Sequence, residues 1–332
     1  PSKDKGDNST PSRGSLVSFD GRDYYLDGSG GSCAEGFELA PQSVLHDIAD
    51  DFIGLDYYSQ VSDNCCIKSS GVLSNKSINV YYHLPQADLT NIPILFSFHG
   101  GSRNADDYRD DWIQMANANN FMVFAPEFNS DDFPSGDMYN LANIFQDGDN
   151  PSSDTFNSPD NWTFSIIDQL FEFIKVEIGG NQATYNAWGH SAGAQFLHRF
   201  VFYLPDSKLN IAVCSNAGWY TVPESDIVFP YGLLESQLSN VNLISAFSKK
   251  LYVHLGDADT DPNSSSLRHN DIVDQQQGLN RLVRGRYFFA TSQEKAESLN
   301  AVFNWEKTPE VPGVAHDHTA MALDALQYIL QE

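Results

Sequence analysis

Residues 188–193 of this chain read Trp-Gly-His-Ser-Ala-Gly, and their sequence setting decides the fold. The β-prone run Ala183–Trp188 enters this motif, and a helix-like run over 194–202 leaves it. A serine held on such a sharp strand-to-helix turn needs a glycine two positions to either side, because larger side chains would collide with the neighbouring strand and helix. The motif therefore predicts a nucleophile elbow, with the Ser191 hydroxyl exposed and the backbone N–H of Ala192 facing an incoming carbonyl.

Strands and helices alternate along the chain from Ser77 onward. This alternation predicts an α/β fold, a mostly parallel, doubly wound sheet with helices on both faces. Several candidate strands are continuously apolar, which suits strands buried on both faces. Apolar stripes at helical spacing over 166–178 and 323–330 predict helices that pack on the sheet. The candidate strands are Ile78–His83, Ile94–Phe98, Met122–Ala125, Ala183–Trp188, Leu209–Cys214, Leu251–Leu255 and Phe303–Thr308.

Three regions are predicted along the chain: a disordered polar tail over 1–15, a cysteine-containing extension over 16–72, and the α/β domain over 73–332. The extension contains a candidate helix near Ser43–Ile53. The polar tail resembles the tether that follows the lipidated cysteine of bacterial surface lipoproteins, although that cysteine is missing. We therefore expect a secreted or cell-surface protein, with membrane contact only through a lipid anchor.

The chain has four cysteines, and two of them, Cys65 and Cys66, are adjacent. Adjacent cysteines rarely bond to each other because the small ring is strained, so Cys33 is expected to pair with one of these two. Such a disulfide would imply an oxidising compartment, and four reduced thiols, including that of Cys214, are the alternative. The cysteine spacing fits no zinc-binding pattern, and no metal is expected.

The formal net charge is −25 and the sequence pI is about 4.4. A surface of this charge repels nucleic acid and anionic membranes, so binding to a phosphate backbone is not expected. The same repulsion argues against polyanionic polysaccharide substrates. No run of the sequence approaches the ~18–20 apolar residues that a membrane-spanning helix requires.

The candidate strand Ile94–Phe98 ends in His-Gly-Gly-Ser at 99–102. In proteins with a nucleophile elbow of this kind, the loop after this strand supplies a second backbone N–H next to the one that follows the nucleophile. Glycine lets backbone amides approach a developing oxyanion, and such a donor contributes roughly 3–4 kcal/mol. Gly101 and Ala192 are therefore the predicted donors, with Ser102 as the second choice in the loop.

A triad acid is expected after the strand Leu251–Leu255, where 256–262 read Gly-Asp-Ala-Asp-Thr-Asp-Pro. Three alternating aspartates suggest a calcium loop, but an EF-hand loop needs glycine at its sixth position and a bidentate glutamate at its twelfth. A proline and an arginine occupy those places, so the calcium interpretation fails. Asp259 is the preferred acid, with Asp257 and Asp261 as alternatives.

The general base is expected after the last strand, where 311–318 read Val-Pro-Gly-Val-Ala-His-Asp-His. His316 closes the Gly-x-x-His turn and is the predicted base, and His318 is predicted to be a surface residue at the start of the final helix. The order Ser191, Asp259, His316 is the chain order of the α/β-hydrolase triad. In that arrangement the histidine takes the serine proton, and the aspartate fixes its tautomer.

Five segments together resemble secreted esterases of the polyhydroxyalkanoate-depolymerase and feruloyl-esterase type. They are the 99–101 loop, the 189–193 elbow, Asn-Ala-Gly-Trp-Tyr at 216–220, Gly-x-x-Asp at 256–259, and 311–317. The resemblance covers about residues 77–332 and implies an α/β-hydrolase fold, a Ser-His-Asp triad, no cofactor, and ester substrates that include polymers. The family's usual cysteine near the oxyanion loop is absent here.

The resemblance also implies that Trp219 flanks the substrate cleft, a core position being the alternative. Ser102 and His190, which adjoin the oxyanion loop and the nucleophile, complete the candidate substrate-binding residues. The stretch 221–249 is expected to form a cap. The predicted protein is a monomeric serine esterase acting on polyester, aromatic or hydroxyacyl esters. The alternatives are a serine peptidase or acyltransferase of the same fold, or a non-catalytic binding protein on that scaffold.

Overall fold

The computed structural model describes the backbone of residues 16–19, 22–25 and 58–61, and describes Leu73, Lys76, 78–264 and 266–331 with their side chains. Three short strands fall in the predicted extension: β1 (Leu16–Phe19), β2 (Arg22–Tyr25) and β3 (Tyr58–Val61). The predicted polar tail, the candidate helix near 43–53, and the cysteines at 33, 65 and 66 lie outside the described residues.

In the described part of the chain, the main sheet has eight strands in the order β10-β9-β8-β7-β5-β6-β4-β3. Strands β5 to β10 are parallel to one another, whereas β4 is antiparallel to both β6 and β3. All seven predicted strands are present, with ends shifted by no more than two residues. They are β4 (Ile78–His83), β5 (Ile94–Phe98), β6 (Met122–Glu127), β7 (Tyr185–His190), β8 (Leu209–Ser215), β9 (Lys250–His254) and β10 (Trp305–Lys307).

Helices cover both faces of the sheet, as predicted. The α-helices within residues 78–264 and 266–331 are α1 (Ala105–Asp110), α2 (Ile113–Asn119), α3 (Ser135–Met138), α4 (Ser165–Ile178), α5 (Ala192–Tyr203), α6 (Asn240–Phe247), α7 (Asp271–Gln277), α8 (Arg281–Ser298) and α9 (His318–Ile329). Neighbouring strand residues point to opposite faces, so Ala187 and Trp188 belong to two different apolar clusters. Helices α1, α2 and α9 contribute to the Trp188 cluster, and α4, α5 and α8 to the Ala187 cluster.

Helix α5 is the most buried helix, because every residue from Gly193 to Tyr203 is buried. A helix that is enclosed on all sides fixes its own position and that of the residue before it. The carboxyl ends of the parallel strands meet at one edge of the sheet, where ligands bind in open α/β sheets. The loops that follow β5, β7, β8 and β9 therefore converge beside the first turn of α5.

Candidate active site

Ser191 occupies the turn between β7 and α5 with backbone angles φ 57° and ψ −115°. This strained conformation is the sharp turn that the sequence predicts. A Cβ atom on Gly193 would lie 2.1 Å from the carbonyl oxygen of Phe98 in β5, and one on Gly189 would lie 2.5 Å from the backbone of Gly193. Glycine is therefore required at both positions, because a side chain would collide with the neighbouring strand or helix, as the sequence predicts.

The structure brings Ser191, His316 and Asp259 into one chain of hydrogen bonds. Nε2 of His316 lies 3.0 Å from Oγ of Ser191, and Nδ1 lies 2.7 Å from Oδ2 of Asp259. His316 follows Ser191 by 125 positions and Asp259 by 57 positions in the sequence. The Asp259 side chain is only 3% exposed and that of His316 is 25% exposed. A carboxylate shielded from water orients the imidazole, whose other nitrogen faces the serine hydroxyl.

The second oxygen of Asp259 faces a buried arginine that the sequence analysis did not identify. Nη1 of Arg281 lies 3.4 Å from Oδ1 of Asp259, and the guanidinium also donates to the hydroxyls of Ser264 and Ser266 at 3.1 and 2.8 Å. The Arg281 side chain is 1% exposed. Burial of a carboxyl group is costly without a partner, so the contact with Arg281 offsets part of the cost of burying Asp259.

The two other aspartates of the predicted acid loop, Asp257 and Asp261, bind backbone N–H groups instead of His316. Oδ1 of Asp257 accepts a 2.6 Å hydrogen bond from the backbone N–H of Gly313, and Oδ1 of Asp261 accepts one of 2.8 Å from the N–H of Asn263. Neither carboxylate contacts His316. Asp259 is thus the aspartate that the geometry favours as the acid.

Asn216 joins the loops that carry the acid and the base, a position for which the sequence analysis assigned no role. Its side-chain amide donates to the carbonyl oxygen of Ala315 at 3.0 Å, and its side-chain oxygen accepts from the N–H of Gly256 at 2.9 Å. Its own φ is 48°, a region in which asparagine is among the most tolerated residues. The Asn-Ala-Gly motif directly after β8 was the available sequence signal.

His190 lies beneath His316, with the two ring centroids 4.4 Å apart. The His190 side chain is buried, and its Nδ1 is 3.0 Å from the hydroxyl of Tyr108. Burial is the main reason that the pKa of His190 lies well below the ordinary histidine value, so its ring is neutral. The predicted role in substrate binding is wrong for this position, because His190 packs against His316 and is closed off from solvent.

The loop after β5 lies against the nucleophile. A Cβ atom on Gly100 would be 3.6 Å from Cβ of Ser191, and Gly101 and Ser102 are exposed next to it. Buried His99 anchors the loop, since its Nε2 accepts the N–H of Phe128 at 3.0 Å and its carbonyl accepts the Tyr139 hydroxyl at 2.6 Å. Burial lowers the pKa of His99 to about 3, so this anchor is uncharged.

Backbone donors for an oxyanion come from two places. Ala192 is the first residue of α5, where an N–H has no partner within the helix and the helix dipole adds positive potential. The amides of the glycine loop are the second source, with Gly101 and Ser102 open to solvent. The predicted assignment of Gly101 over Ser102 remains a prediction.

Two further predicted positions differ from expectation. Trp219 is 3% exposed, and guanidinium groups of Arg199 and Arg268 lie over its ring at 4.2 and 4.7 Å. A ring covered in this way has no free face for a substrate, so Trp219 takes the core position that was the alternative prediction.

His318 is half-buried rather than a surface residue, because its Nδ1 pairs with Asp111 at 2.5 Å and its ring stacks on Tyr108.

The predicted cap at 221–249 is a loop followed by α6, and Phe229 and Tyr231 within it are buried.

Among residues 78–264 and 266–331, no group of three metal-ligating side chains is placed to hold a metal ion. Within that same part of the chain, no helix is long and apolar enough to cross a membrane.

Comparison with known proteins places this geometry in a family. No family model matches the chain, and no curated protein matches it. Among solved structures, poly(aspartic acid) hydrolase-1 from Sphingomonas sp. KT-1 is similar to it at 37% identity and a TM-score of 0.73, over 77% of this chain and 94% of that one. The poly(3-hydroxybutyrate) depolymerase LpqC from Bordetella parapertussis is similar at 24% identity and a TM-score of 0.73, over 83% and 90% of the two chains.

The same fold occurs in an S-formylglutathione hydrolase from Agrobacterium tumefaciens, at 11% identity and a TM-score of 0.52, over 82% of this chain and 92% of that one. The identity to the first structure, over nearly its whole length, shows a family relationship. The parallel sheet, the strained serine turn and the neighbouring hydrolases agree with it. The chain therefore has the α/β-hydrolase fold and belongs to the family of hydrolases that includes poly(aspartic acid) hydrolase-1.

Proposed function

We propose that this hydrolase is a serine carboxylic-ester hydrolase that works through an acyl-enzyme. The observation that supports this proposal most directly is the unbroken hydrogen-bond chain from Ser191 through His316 to Asp259, with distances of 3.0 and 2.7 Å. A serine hydroxyl is a weak nucleophile until an adjacent base accepts its proton. The chain supplies that base, and the buried Asp259 supplies the group that orients it.

In the proposed mechanism, His316 takes the proton of Ser191 while the serine oxygen attacks the acyl carbon. The positive charge that develops on the imidazole is stabilised by Asp259, which keeps its own negative charge. The backbone amides of Ala192 and Gly101 donate to the oxyanion of the tetrahedral intermediate. His316 then protonates the departing alcohol, and water releases the acyl group by the reverse sequence.

Polyester, aromatic and hydroxyacyl esters are the proposed substrate class, and no cofactor takes part. The fold shared with a poly(3-hydroxybutyrate) depolymerase and an S-formylglutathione hydrolase supports acyl-transfer chemistry at this site. Secretion or display at the cell surface stays a prediction from the polar tail and the cysteines, and fractionation of producing cells tests it.

A chain-length series of p-nitrophenyl acyl esters tests the proposed activity. Wild-type protein should release p-nitrophenol, and Ser191→Ala should retain less than about one per cent of that rate because the nucleophile is lost. Ser298→Ala, which changes an exposed serine at the end of α8, is the matched control and should behave as wild type. Turnover by Ser191→Ala above that level would show that another group performs the reaction.

A second candidate function is hydrolysis of a polyamide, and the relative at 37% identity supports it, since that protein is a poly(aspartic acid) hydrolase. Poly(aspartic acid) consists of anionic units joined by amide bonds, which the same serine and histidine could cleave by protonating an amine instead of an alcohol. Size-exclusion chromatography of poly(aspartic acid) after incubation tests this activity. Shortening of the polymer by wild type, but not by Ser191→Ala, would support it.

A further inference from the structure

Two guanidinium groups lie over the indole ring of Trp219, on the α8 side of the candidate site. The Arg199 guanidinium lies 4.2 Å from the ring centroid of Trp219, and that of Arg268 lies 4.7 Å from it. The Arg199 side chain is fully buried, whereas the Arg268 side chain is 31% exposed. The ring therefore fixes the orientation of a solvent-accessible cation, since stacking of this kind restricts the guanidinium before any ligand arrives.

Positive charge exceeds negative charge in this stack. Arg199 donates to the Thr221 hydroxyl and to backbone carbonyls of Asn140 and Gln195, and its buried Nη2 has no hydrogen-bond partner among the residues that the structure describes. Within the same part of the chain, no carboxylate pairs with it. Burial and repulsion from Arg268 lower the pKa of Arg199 to about 9, as expected for a buried cation with no carboxylate in direct contact.

Arg268 has one carboxylate partner, which is Asp149. Nη1 of Arg268 lies 2.6 Å from Oδ1 of Asp149 and 3.2 Å from the Tyr231 hydroxyl. The pair is monodentate, and the Asp149 side chain is 50% exposed. Exposed ion pairs with a single contact contribute little to stability, so a competing anion could displace this one.

The turn that carries Asp149 does not depend on its carboxylate. The N–H of Gly148 donates to Oδ1 of Asp137 at 3.1 Å, and the N–H of Asp149 itself donates to Oδ1 of Asp147 at 3.1 Å. The carboxylate of Asp149 is consequently free to leave Arg268 while the turn keeps its shape.

Backbone contacts connect Arg268 to the site around Ser191. Nη1 of Arg284 donates to the carbonyl of Gly218 at 2.8 Å and to that of Arg268 at 2.9 Å, which joins the loops after β8 and β9. Gly218 in turn lies against Gln195, one helical turn beyond Ser191, because a Cβ on Gly218 would be 2.8 Å from Nε2 of Gln195. Arg268 thus stands at the rim of the same converging loops.

We propose that Arg268 is a binding site for a carboxylate of an anionic substrate, and that Asp149 occupies this site when substrate is absent. The proposal rests on the proposed serine hydrolase activity and names a substrate class for it. It also names the cation at which a chain with a net charge of −25 could accept an anionic substrate.

Matched ester pairs test the proposal. Mono-p-nitrophenyl adipate and p-nitrophenyl hexanoate place a carboxylate or a methyl group at the same position of the acyl chain. The pair 4-acetoxybenzoate and methyl 4-acetoxybenzoate places the charge on the alcohol side instead. In at least one pair, Arg268→Gln should lower kcat/KM for the anionic member by about tenfold through a higher KM, with little change for the neutral member.

Asp149→Asn should have the opposite effect, raising kcat/KM for that anionic ester by about threefold because the competing carboxylate is lost. In an Arg268→Gln background the same substitution should have no effect. Asp160→Asn removes an exposed charge from the same segment, and Lys208→Gln removes a surface cation at the opposite end of the sheet. Both controls should leave the ratio of anionic to neutral turnover unchanged. Equal losses for charged and neutral esters in Arg268→Gln would overturn the proposal.

Binding to the inactive protein separates this proposal from the proposed activity. Calorimetry with Ser191→Ala should give tighter binding of monomethyl adipate than of dimethyl adipate, and this preference should vanish when Arg268→Gln is added. If wild type hydrolyses no ester, the proposed esterase activity fails, and this measurement decides the carboxylate site alone. Equal affinity for the two adipate esters would reject the site.

Discussion

Asp257 and Gly313 are joined by a 2.6 Å hydrogen bond from the backbone N–H of the glycine to the aspartate carboxylate. The aspartate stands two residues before Asp259, and the glycine stands three residues before His316. A backbone bridge between Gly256 and Val311 continues the same contact. The distance between acid and base is therefore set by the pairing of their loops, as well as by the hydrogen bond between their side chains.

Loss of the Asp257 carboxylate should weaken turnover without unfolding the protein. Asp257→Ala is expected to lower kcat by about tenfold with a smaller change in KM, because the His316 loop loses one restraint and small misplacements are costly. Asp257→Asn keeps an oxygen that can accept the Gly313 N–H, so it should restore most of the rate. Steady-state kinetics of both variants checks this, and equal impairment of the two would indicate that charge rather than the hydrogen bond matters.

The three aspartates of the acid loop should differ sharply in their effect on activity. Asp259→Asn is expected to reduce kcat by about four orders of magnitude, because the amide favours the wrong tautomer of His316. Asp261→Asn should stay within about twofold of wild type, since its carboxylate binds only a neighbouring backbone N–H. Rates are compared per folded molecule, measured by circular dichroism. A severe loss of activity in Asp261→Asn, without one in Asp259→Asn, would show that Asp261 is the acid and that the assignment of Asp259 is wrong.

Glycine at position 193 should be required for full stability. Gly193→Ala places a Cβ 2.1 Å from a carbonyl oxygen of β5, so we expect a destabilisation of about 1–3 kcal/mol and a lower melting temperature. Gly101→Ala is the matched control, because a Cβ there meets no atom within 4 Å. Thermal unfolding of both variants gives the comparison. Similar melting temperatures for the two would contradict the packing argument.

The pair His318–Asp111 should make stability depend on pH. The hydrogen bond to Asp111 raises the pKa of His318 above the ordinary histidine value, so the folded protein holds this proton more tightly than the unfolded chain does. The stabilisation is complete below the unfolded pKa of about 6.5 and is lost as pH rises through the higher folded value. His318→Gln should therefore lower the melting temperature by about 1–2 °C more at low pH than at high pH.

Thr319→Val provides the control for this prediction, because Thr319 donates to the other oxygen of Asp111 at 2.6 Å but does not titrate. Its effect on the melting temperature should be the same at both pH values. A pH-independent loss in His318→Gln would mean that the histidine contributes by packing on Tyr108 alone.

Local sequence patterns were sufficient for most of the fold. The seven strands and the stripes of α4 and α9 depend on periodicity within a few residues, which the chain carries in its own order. The strand ends were less precise, since β7 begins at Tyr185 rather than Ala183 and β10 at Trp305 rather than Phe303. Strand ends depend on pairing with neighbouring strands that lie far away in sequence.

The three residues of the hydrogen-bond chain could be predicted because their order along the sequence indicates which strand each one follows. Ser191, Asp259 and His316 each follow a strand, and parallel strands bring their carboxyl ends to one edge of the sheet. Arg281 and Asn216 were missed because their significance comes from contacts with atoms 22 to 99 residues away. Trp219 and His190 were misassigned for a related reason, since burial of a side chain depends on what covers it.

The sequence by itself determined the α/β class, the strained serine turn and the order of the three residues that meet there, because glycine requirements and apolar periodicity are local properties. Only the tertiary structure decided which of three aspartates reaches His316, that His190 supports this histidine from below, and that Arg268 stands beside Trp219 with Asp149 as its partner. Those outcomes depend on distances between loops, and loops are positioned by the packed sheet and helices beneath them rather than by their own residues.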